Sequence, residues 1–270
     1  MSQDPTALPP AQMILATINA IMAPEQVFEL RVIGAGGRDG STASGWFNNR
    51  EKVVEKALFQ DVRFAEGVYV TLNQCHPGCL ARTNNEIKSF QKNSTADRDI
   101  IRRHWLPIDI DPVRPSKISS TQEEIDRARN KAREIRQWLA EEMLWPNGLA
   151  GFSSNGIHLL YRIDTPNDAY SKDLIKKCIE CLSEKFSDEI VKVDTTVWNA
   201  ARIWKLWGTV SRKGASTEDR PHRRSAMFAW EDGEYPQFED VEVISINQLD
   251  KLILRIPTQR KWNDPTVKWR

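Results

Sequence analysis

The sequence predicts a mixed α/β fold of the α+β type, and three stretches carry that prediction. Trp105-Leu106-Pro107-Ile108-Asp109-Ile110-Asp111-Pro112 alternates apolar and acidic side chains, the period of a strand with one face in a core. Thr121-Gln122-Glu123-Glu124 has the form of a capping box, and Ile125, Ala128, Ala132, Ile135 and Leu139 follow at helical spacing. Leu149 to Tyr161 reads as two strands around Asn155-Gly156, the strongest short hairpin signal. With 270 residues, 40% hydrophobic and 28% charged, the chain folds as one large domain or two modest ones rather than staying disordered. It contains no internal repeat or low-complexity segment.

In chain order, Ala11 to Met22 follows Pro9-Pro10 as a short helix, and Gln26 to Ile33 alternates as a strand. Gly34 to Phe47 is a long loop rich in glycine and hydroxyl groups, able to approach a ligand closely. No Gly-Lys-Ser/Thr follows, so it is not a Walker A loop. Glu51 to Gln60 is a helix and Gly67 to Asn73 a strand, followed by a polar loop with Arg82, Thr83, Asn84 and Asn85. After the Asp109 strand and the Thr121 helix comes the hairpin, with its return strand running from Ile157 to Ile163. Asp168 to Phe186 is an amphipathic helix, Ile190 to Asp194 a strand, Ala226 to Trp230 a strand and Ile246 to Leu254 a helix.

Charge and cysteine usage narrow the classes. The net charge of +1 announces no nucleic-acid partner globally, but Arg202 to Arg224 holds seven basic residues against two acids. No apolar run approaches the roughly 20 residues of a membrane helix. Met1 to Pro10 has no Lys or Arg ahead of the apolar run Met13 to Met22, so it is not a secretory signal and a cytoplasmic protein is expected. Cys178 and Cys181 fall on the apolar face of a helix, where cysteine packs as a core residue. Cys75, His76 and Cys79 would need a further ligand to hold zinc, so zinc is not expected.

Asp109 and Asp111 share one strand face, roughly 6–7 Å apart. Carboxylates that close repel, and one holds its proton unless a cation neutralises both. Hard oxygen donors favour Mg²⁺ or Mn²⁺; the alternative is a solvated edge strand. Asp194 ends its own strand as Asp111 does. His158 follows the hairpin turn beside the Ser153 and Ser154 hydroxyls, which suits an anion, although its apolar neighbours also fit a core histidine. Arg202 and Lys205 are three apart, which a helical turn would bring together. Three acids, a histidine and an Arg/Lys pair suit phosphoryl transfer, with two metal ions on the reacting phosphate and His158, Arg202 and Lys205 neutralising triphosphate charge.

The order of these motifs resembles the archaeo-eukaryotic primase superfamily, closest to the primase-polymerases of plasmids, phages and CRISPR-linked operons. The resemblance rests on Ile108-Asp109-Ile110-Asp111, then Ser153-Ser154-Asn155-Gly156-Ile157-His158, then Val193-Asp194 with Asn199 to Thr209. It extends to the Gly36 to Phe47 loop, the Val68 to Asn73 strand, Asp111-Pro112-Val113-Arg114-Pro115 and Arg220-Pro221-His222-Arg223, over roughly residues 30 to 225. It implies an N-terminal αβ module (1–100), a module related to the RNA-recognition fold that carries the acids (101–245), and a C-terminal helix and tail (246–270). By the same resemblance Asp109, Asp111 and Asp194 hold two Mg²⁺ or Mn²⁺ ions. Ser153, Ser154, Asn155, His158, Arg202 and Lys205 bind the incoming nucleotide. Asn73, Arg82, Arg114, Arg212, Lys213, His222 and Arg223 face nucleic acid or a second nucleotide. Three positions depart from the family pattern: Ser154 where Gly is frequent, Ala200 where Pro is common, and Trp207 where Pro usually precedes Gly-Thr.

The implied activity is template-dependent nucleotidyl transfer, making or extending primers on single-stranded DNA. The partners are template, primer and nucleoside triphosphates, with no membrane; a helicase or accessory priming domain outside this chain stays open. One rival is a non-catalytic single-stranded DNA-binding initiator domain, using the basic run and stacking bases on Trp46, Trp204 and Trp207. Binding DNA phosphates gives no reason to gather carboxylates, which argues against it. Another is a strand-nicking nuclease of the relaxase type, but none of the four histidines forms a His-x-His pair.

Overall fold

The computed structural model describes residues 8–37, 41–91, 93–231 and 233–256. In chain order the elements are α1 (Pro10–Ile21), β1 (Phe28–Ile33), β2 (Thr42–Phe47), α2 (Arg50–Val62), β3 (Gly67–Thr71), β4 (Gln74–Cys75), β5 (Lys88–Ser89) and β6 (Ile100–Pro112). Next come α3 (Gln122–Met143), β7 (Leu149–Phe152), β8 (Ile157–Pro166), α4 (Ala169–Phe186) and β9 (Val191–Val193). The chain continues through β10 (Ile203–Lys205), β11 (Val210–Ser211), β12 (Arg223–Arg224), β13 (Ala226–Met227) and α5 (Ile246–Arg255). The fold is α+β, with antiparallel strands in two main sheets.

The first sheet runs β10-β3-β1-β2-β5. The second runs β13-β7-β8-β6-β4, with β9 also paired to β6. Strands cross between the two halves of the chain: β4 joins the second sheet and β10 joins the first. The central strand β6 pairs with β8 along most of its length, with β4 near its start and with β9 near its end. Helices α3 and α4 cover one face of the second sheet, and α2 lies on the first. One apolar cluster runs through both sheets, filled by Trp105, Trp207, Phe28 and Phe47 among others.

Local chemistry accounts for the main helices. Thr121 accepts a hydrogen bond from the Glu124 amide, and the Glu124 carboxylate accepts one from the Thr121 amide, the reciprocal box expected for α3. Its buried face is Ile125, Ala128, Ala132, Ile135, Leu139 and Met143. Asp168 caps α4 through the Ser171 amide, and Cys178 and Cys181 lie on the core side of that helix.

Four expectations need correction. Gly34 to Phe47 is not all loop: Thr42–Phe47 is a strand paired along β1, and Arg38, Asp39 and Gly40 lie outside the described residues. The hairpin is not a two-residue Asn-Gly turn. It closes over four residues, with Ser153 N–H donating to Gly156 O at 3.0 Å and the positive φ falling on Ser154 at 90°. Within that turn the Asn155 side chain and carbonyl accept from Ser120. Around Arg202 and Lys205 the chain is extended, not helical, because Ile203–Lys205 pairs with Thr71–Tyr69 of β3. Trp46, Trp204 and Trp207 offer no exposed stacking surface, since all three are buried. The C-terminal tail beyond Ile256 lies outside the described residues.

Candidate active site

The acids converge because of strand register. Asp109 stands opposite His158 across β6 and β8. On the other edge of β6, Ile110 pairs with Val193, and the Asp194 amide donates to Asp109 O at 2.9 Å. Asp194 therefore continues β9 alongside Asp109, while Asp111 lies two residues on along the same face of β6. Gly156 leaves room for this: a Cβ there would lie 2.4 Å from Asp111 Oδ1 and 2.4 Å from Ile110 O.

These residues line a cleft of 340 Å³ between the two sheets. Asp109, Asp111, Asp194, Ser153, Asn155 and His158 come from the second sheet and its loops. Tyr69, Ile203, Trp204 and Lys205 come from the first, and Arg202, Arg114 and Lys213 complete the rim. Asp109 is pushed well above the usual carboxylate range, first by burial and then by the charges of Asp111 and Asp194. Arg114 and Arg202 oppose that shift. His158 Nε2 lies 3.5 Å from Asp109 Oδ1, and its ring leans on Trp204 with centroids 3.9 Å apart. Burial, helped by Lys205, pulls His158 down to about 3, so near neutral pH it is an uncharged hydrogen-bonding group.

Lys205 is buried, donates from Nζ to Val210 O at 2.8 Å, and is lowered to about 7 chiefly by burial. Nearby Asp61 accepts from Arg212, Arg224 and the Val210 amide. Arg202 donates to Thr196 O, while its Nε finds no partner. Ser154 Oγ, His158 Nδ1 and Trp204 Nε1 are likewise buried without a hydrogen-bond partner. Ser153 Oγ accepts from the Gly156 amide at 2.9 Å, leaving its proton free to donate.

By chemistry the donors suit a hard divalent cation: Asp109, Asp111 and Asp194 all line the cleft, and burial, then the charges of the other two, holds Asp109 off ionisation. Among the described residues, however, no three His, Cys, Asp or Glu groups form a ready ligand cluster. Both oxygens of Asp194 accept from Thr196. Cys75 and Cys79 are buried free thiols.

Not every expected contact faces the cleft. Asn73 is buried and clamps Ala200 O and the His104 amide. Arg82 forms a two-point pair with Asp99. Arg212 is tied to Asp61 and Ala65 O, and His222 to Gly214 O. Arg223 lines a separate hollow of 1190 Å³ beside α3, floored by Ala150, Ile157 and Leu159. Those side chains alternate with His158 on the sheet, so that hollow is on its other face. Sequence reasoning missed Tyr69 and Asp61. Tyr69 alternates with Val68 and Val70, so its facing was legible in the strand period; Asp61 carries no local signal. Trp207 proves a packing residue, its ring filling the space over Gly151, where a Cβ would come within 2.3 Å.

No family model matches the sequence, and no curated protein matches it. Among solved structures, the chain is similar to the crystal structure of primase RepB', with a TM-score of 0.44 and 11% identity over 91% of this chain. It spans 64% of the length of that primase chain. The described residues contain no helix long and apolar enough to cross a membrane.

Proposed function

We propose that the chain is a nucleotidyltransferase that makes or extends primers on a single-stranded DNA template. The observation that carries this reading is the cleft itself: Asp109, Asp111 and Asp194 stand on one sheet, and Arg202 and Lys205 are delivered from the other side. Binding of nucleic acid alone would favour the cations and has no use for the acids.

In this reading Asp109, Asp111 and Asp194 hold two Mg²⁺ or Mn²⁺ ions. Such ions, when bound, activate the attacking hydroxyl and offset charge on the phosphate and the leaving pyrophosphate. Arg202 and Lys205 bind and orient the triphosphate, and Ser153 donates its hydroxyl to a phosphate oxygen. His158 donates or accepts as a neutral ring, positioned by Trp204. Tyr69 and Trp204 wall the cleft and restrict water around the reacting groups.

The test is incorporation of labelled nucleotide on a primer-template with Mn²⁺. Asp109→Ala with Asp111→Ala abolishes incorporation while the melting temperature stays at or above that of the parent. Full incorporation by the folded double variant would sink the proposal.

A further inference from the structure

Three phenylalanines are exposed on one side of the first sheet. Phe59 is 51% exposed, Phe64 71% and Phe90 68%. Two of them occupy backbone conformations that disfavour them: Phe64 has φ of 59° and Phe90 φ of 57°. Phe64 closes the end of α2, where the Ala65 amide donates to Gln60 O and the Phe64 amide to Asp61 O, and glycine is the preferred residue at such a position. Neither burial nor backbone geometry calls for a phenyl ring at these sites.

The rings are accompanied by cations. The Arg63 guanidinium lies 5.1 Å from the Phe59 ring centre, and Arg212 lies 5.5 Å from that of Phe64. Phe59, Arg63 and Phe90 bound a pocket of 390 Å³, with Gln60, Ser41, Thr42 and Ser89 as its hydrogen-bonding groups and Arg63 as the charged group among the described residues of its lining. The patch continues to the cleft: the Arg212 amide donates to Glu66 O at 2.8 Å, and the neighbouring Ser211 and Lys213 line the cleft.

We propose that Phe59, Phe64 and Phe90, with Arg63 and Arg212, form a base-stacking track for single-stranded nucleic acid that leads to the cleft. Flat rings accept any base on their faces; the Arg63 guanidinium beside Phe59 meets the backbone phosphates, and Arg212, held by Asp61 and Ala65 O, backs the Phe64 ring. The Arg63 charge in the pocket between two exposed rings favours an anionic strand. That the strand leads to a reaction rests on the nucleotidyl-transfer reading; that it binds does not.

The test uses the whole chain and a fluorescent oligothymidylate of about 20 nucleotides, long enough to reach past one binding face. Phe59→Ala, Phe64→Gly and Phe90→Gly are combined. Each replacement suits its backbone, so the melting temperature holds or rises. Strand affinity measured by anisotropy falls on the order of 1000-fold, from roughly tenfold for each of the three rings. Mononucleotide triphosphate binding in the cleft stays as in the parent. Unchanged strand affinity overturns the proposal, as does an equal loss of strand and mononucleotide binding. A parent that dimerises through this patch while the variant is monomeric, with strand affinity unchanged, assigns the rings to self-association and also overturns it. Asp109→Ala with Asp111→Ala keeps strand binding in this assay, so a failure of the catalytic reading leaves a different trace.

Discussion

Replacing Lys205 with methionine should make the protein more stable and less able to bind nucleotide. Lys205 is 3% exposed and its ammonium meets one carbonyl, Val210 O at 2.8 Å. Burial, with Arg212 and Arg224 adding to it against Asp61, lowers it from 10.5 to about 7. A drop of about 3.5 units at ~1.4 kcal/mol each corresponds to roughly 4–5 kcal/mol lost by the folded state near neutral pH. Methionine keeps the length and apolar contact and forgoes one hydrogen bond worth about 1 kcal/mol, for a net gain of roughly 2–4 kcal/mol. The pH dependence carries a sign. Between about 7 and 10.5 the unfolded chain binds a proton at this lysine that the folded chain does not, so stability of the parent rises with pH through that window. The variant lacks this rise, and its advantage shrinks towards the alkaline end. Urea unfolding at both ends of the window, beside nucleotide titration, measures both quantities. A variant less stable than the parent near pH 7, or an advantage independent of pH, refutes the assignment of Lys205 as a desolvated cation kept for its ligand.

Two further expectations come from close packing. Gly156→Ala places a Cβ 2.4 Å from Asp111 Oδ1, so nucleotide incorporation falls roughly 100-fold with a stability loss of ~1–3 kcal/mol, read from steady-state rates and melting on the same sample. Gly151→Ala drives a methyl to within 2.3 Å of the Trp207 ring and destabilises by ~1–3 kcal/mol; Trp207→Leu in the same chain recovers part of that, and additive effects in the double-mutant cycle would show that the two do not share one space.

What the sequence revealed was local chemistry. The capping box at Thr121, the alternation at Ile108 and Ile110, and the apolar stripes of α3 and α4 are written within a turn or two of the residues that form them. The acids of the cleft were readable for the same reason, since β6 alone puts Asp109 and Asp111 on one face. What escaped depends on partners far away. Ile203–Lys205 extends because Thr71–Tyr69 offers an open edge, more than a hundred residues earlier, and nothing between Asn199 and Thr209 records that. The tryptophans were misplaced because all three are buried, while three phenylalanines at a helix end and a loop end remain outside. Asn155 looked like half of a turn and also serves as the clamp on Ser120, a contact set by the return of α3 to the hairpin.

The cleft keeps its charges apart. Arg202 donates to Thr196 O and Lys205 to Val210 O, so both cations bond backbone carbonyls rather than the acids beside them. Arg114 comes nearest to a pair, at 3.4 Å from Asp111. A buried ion pair between Asp109 and Lys205 would leave neither free for a ligand. Instead the acids repel one another, the lysine resists its own charge, and several buried polar atoms have no partner. Under the proposed function a metal-bound triphosphate would answer all three, with a cation among the carboxylates and an anion against Arg202 and Lys205. The fold can sustain the separation because β10 is anchored in the first sheet and β6 in the second, with the Trp207 ring wedged against Gly151 between them.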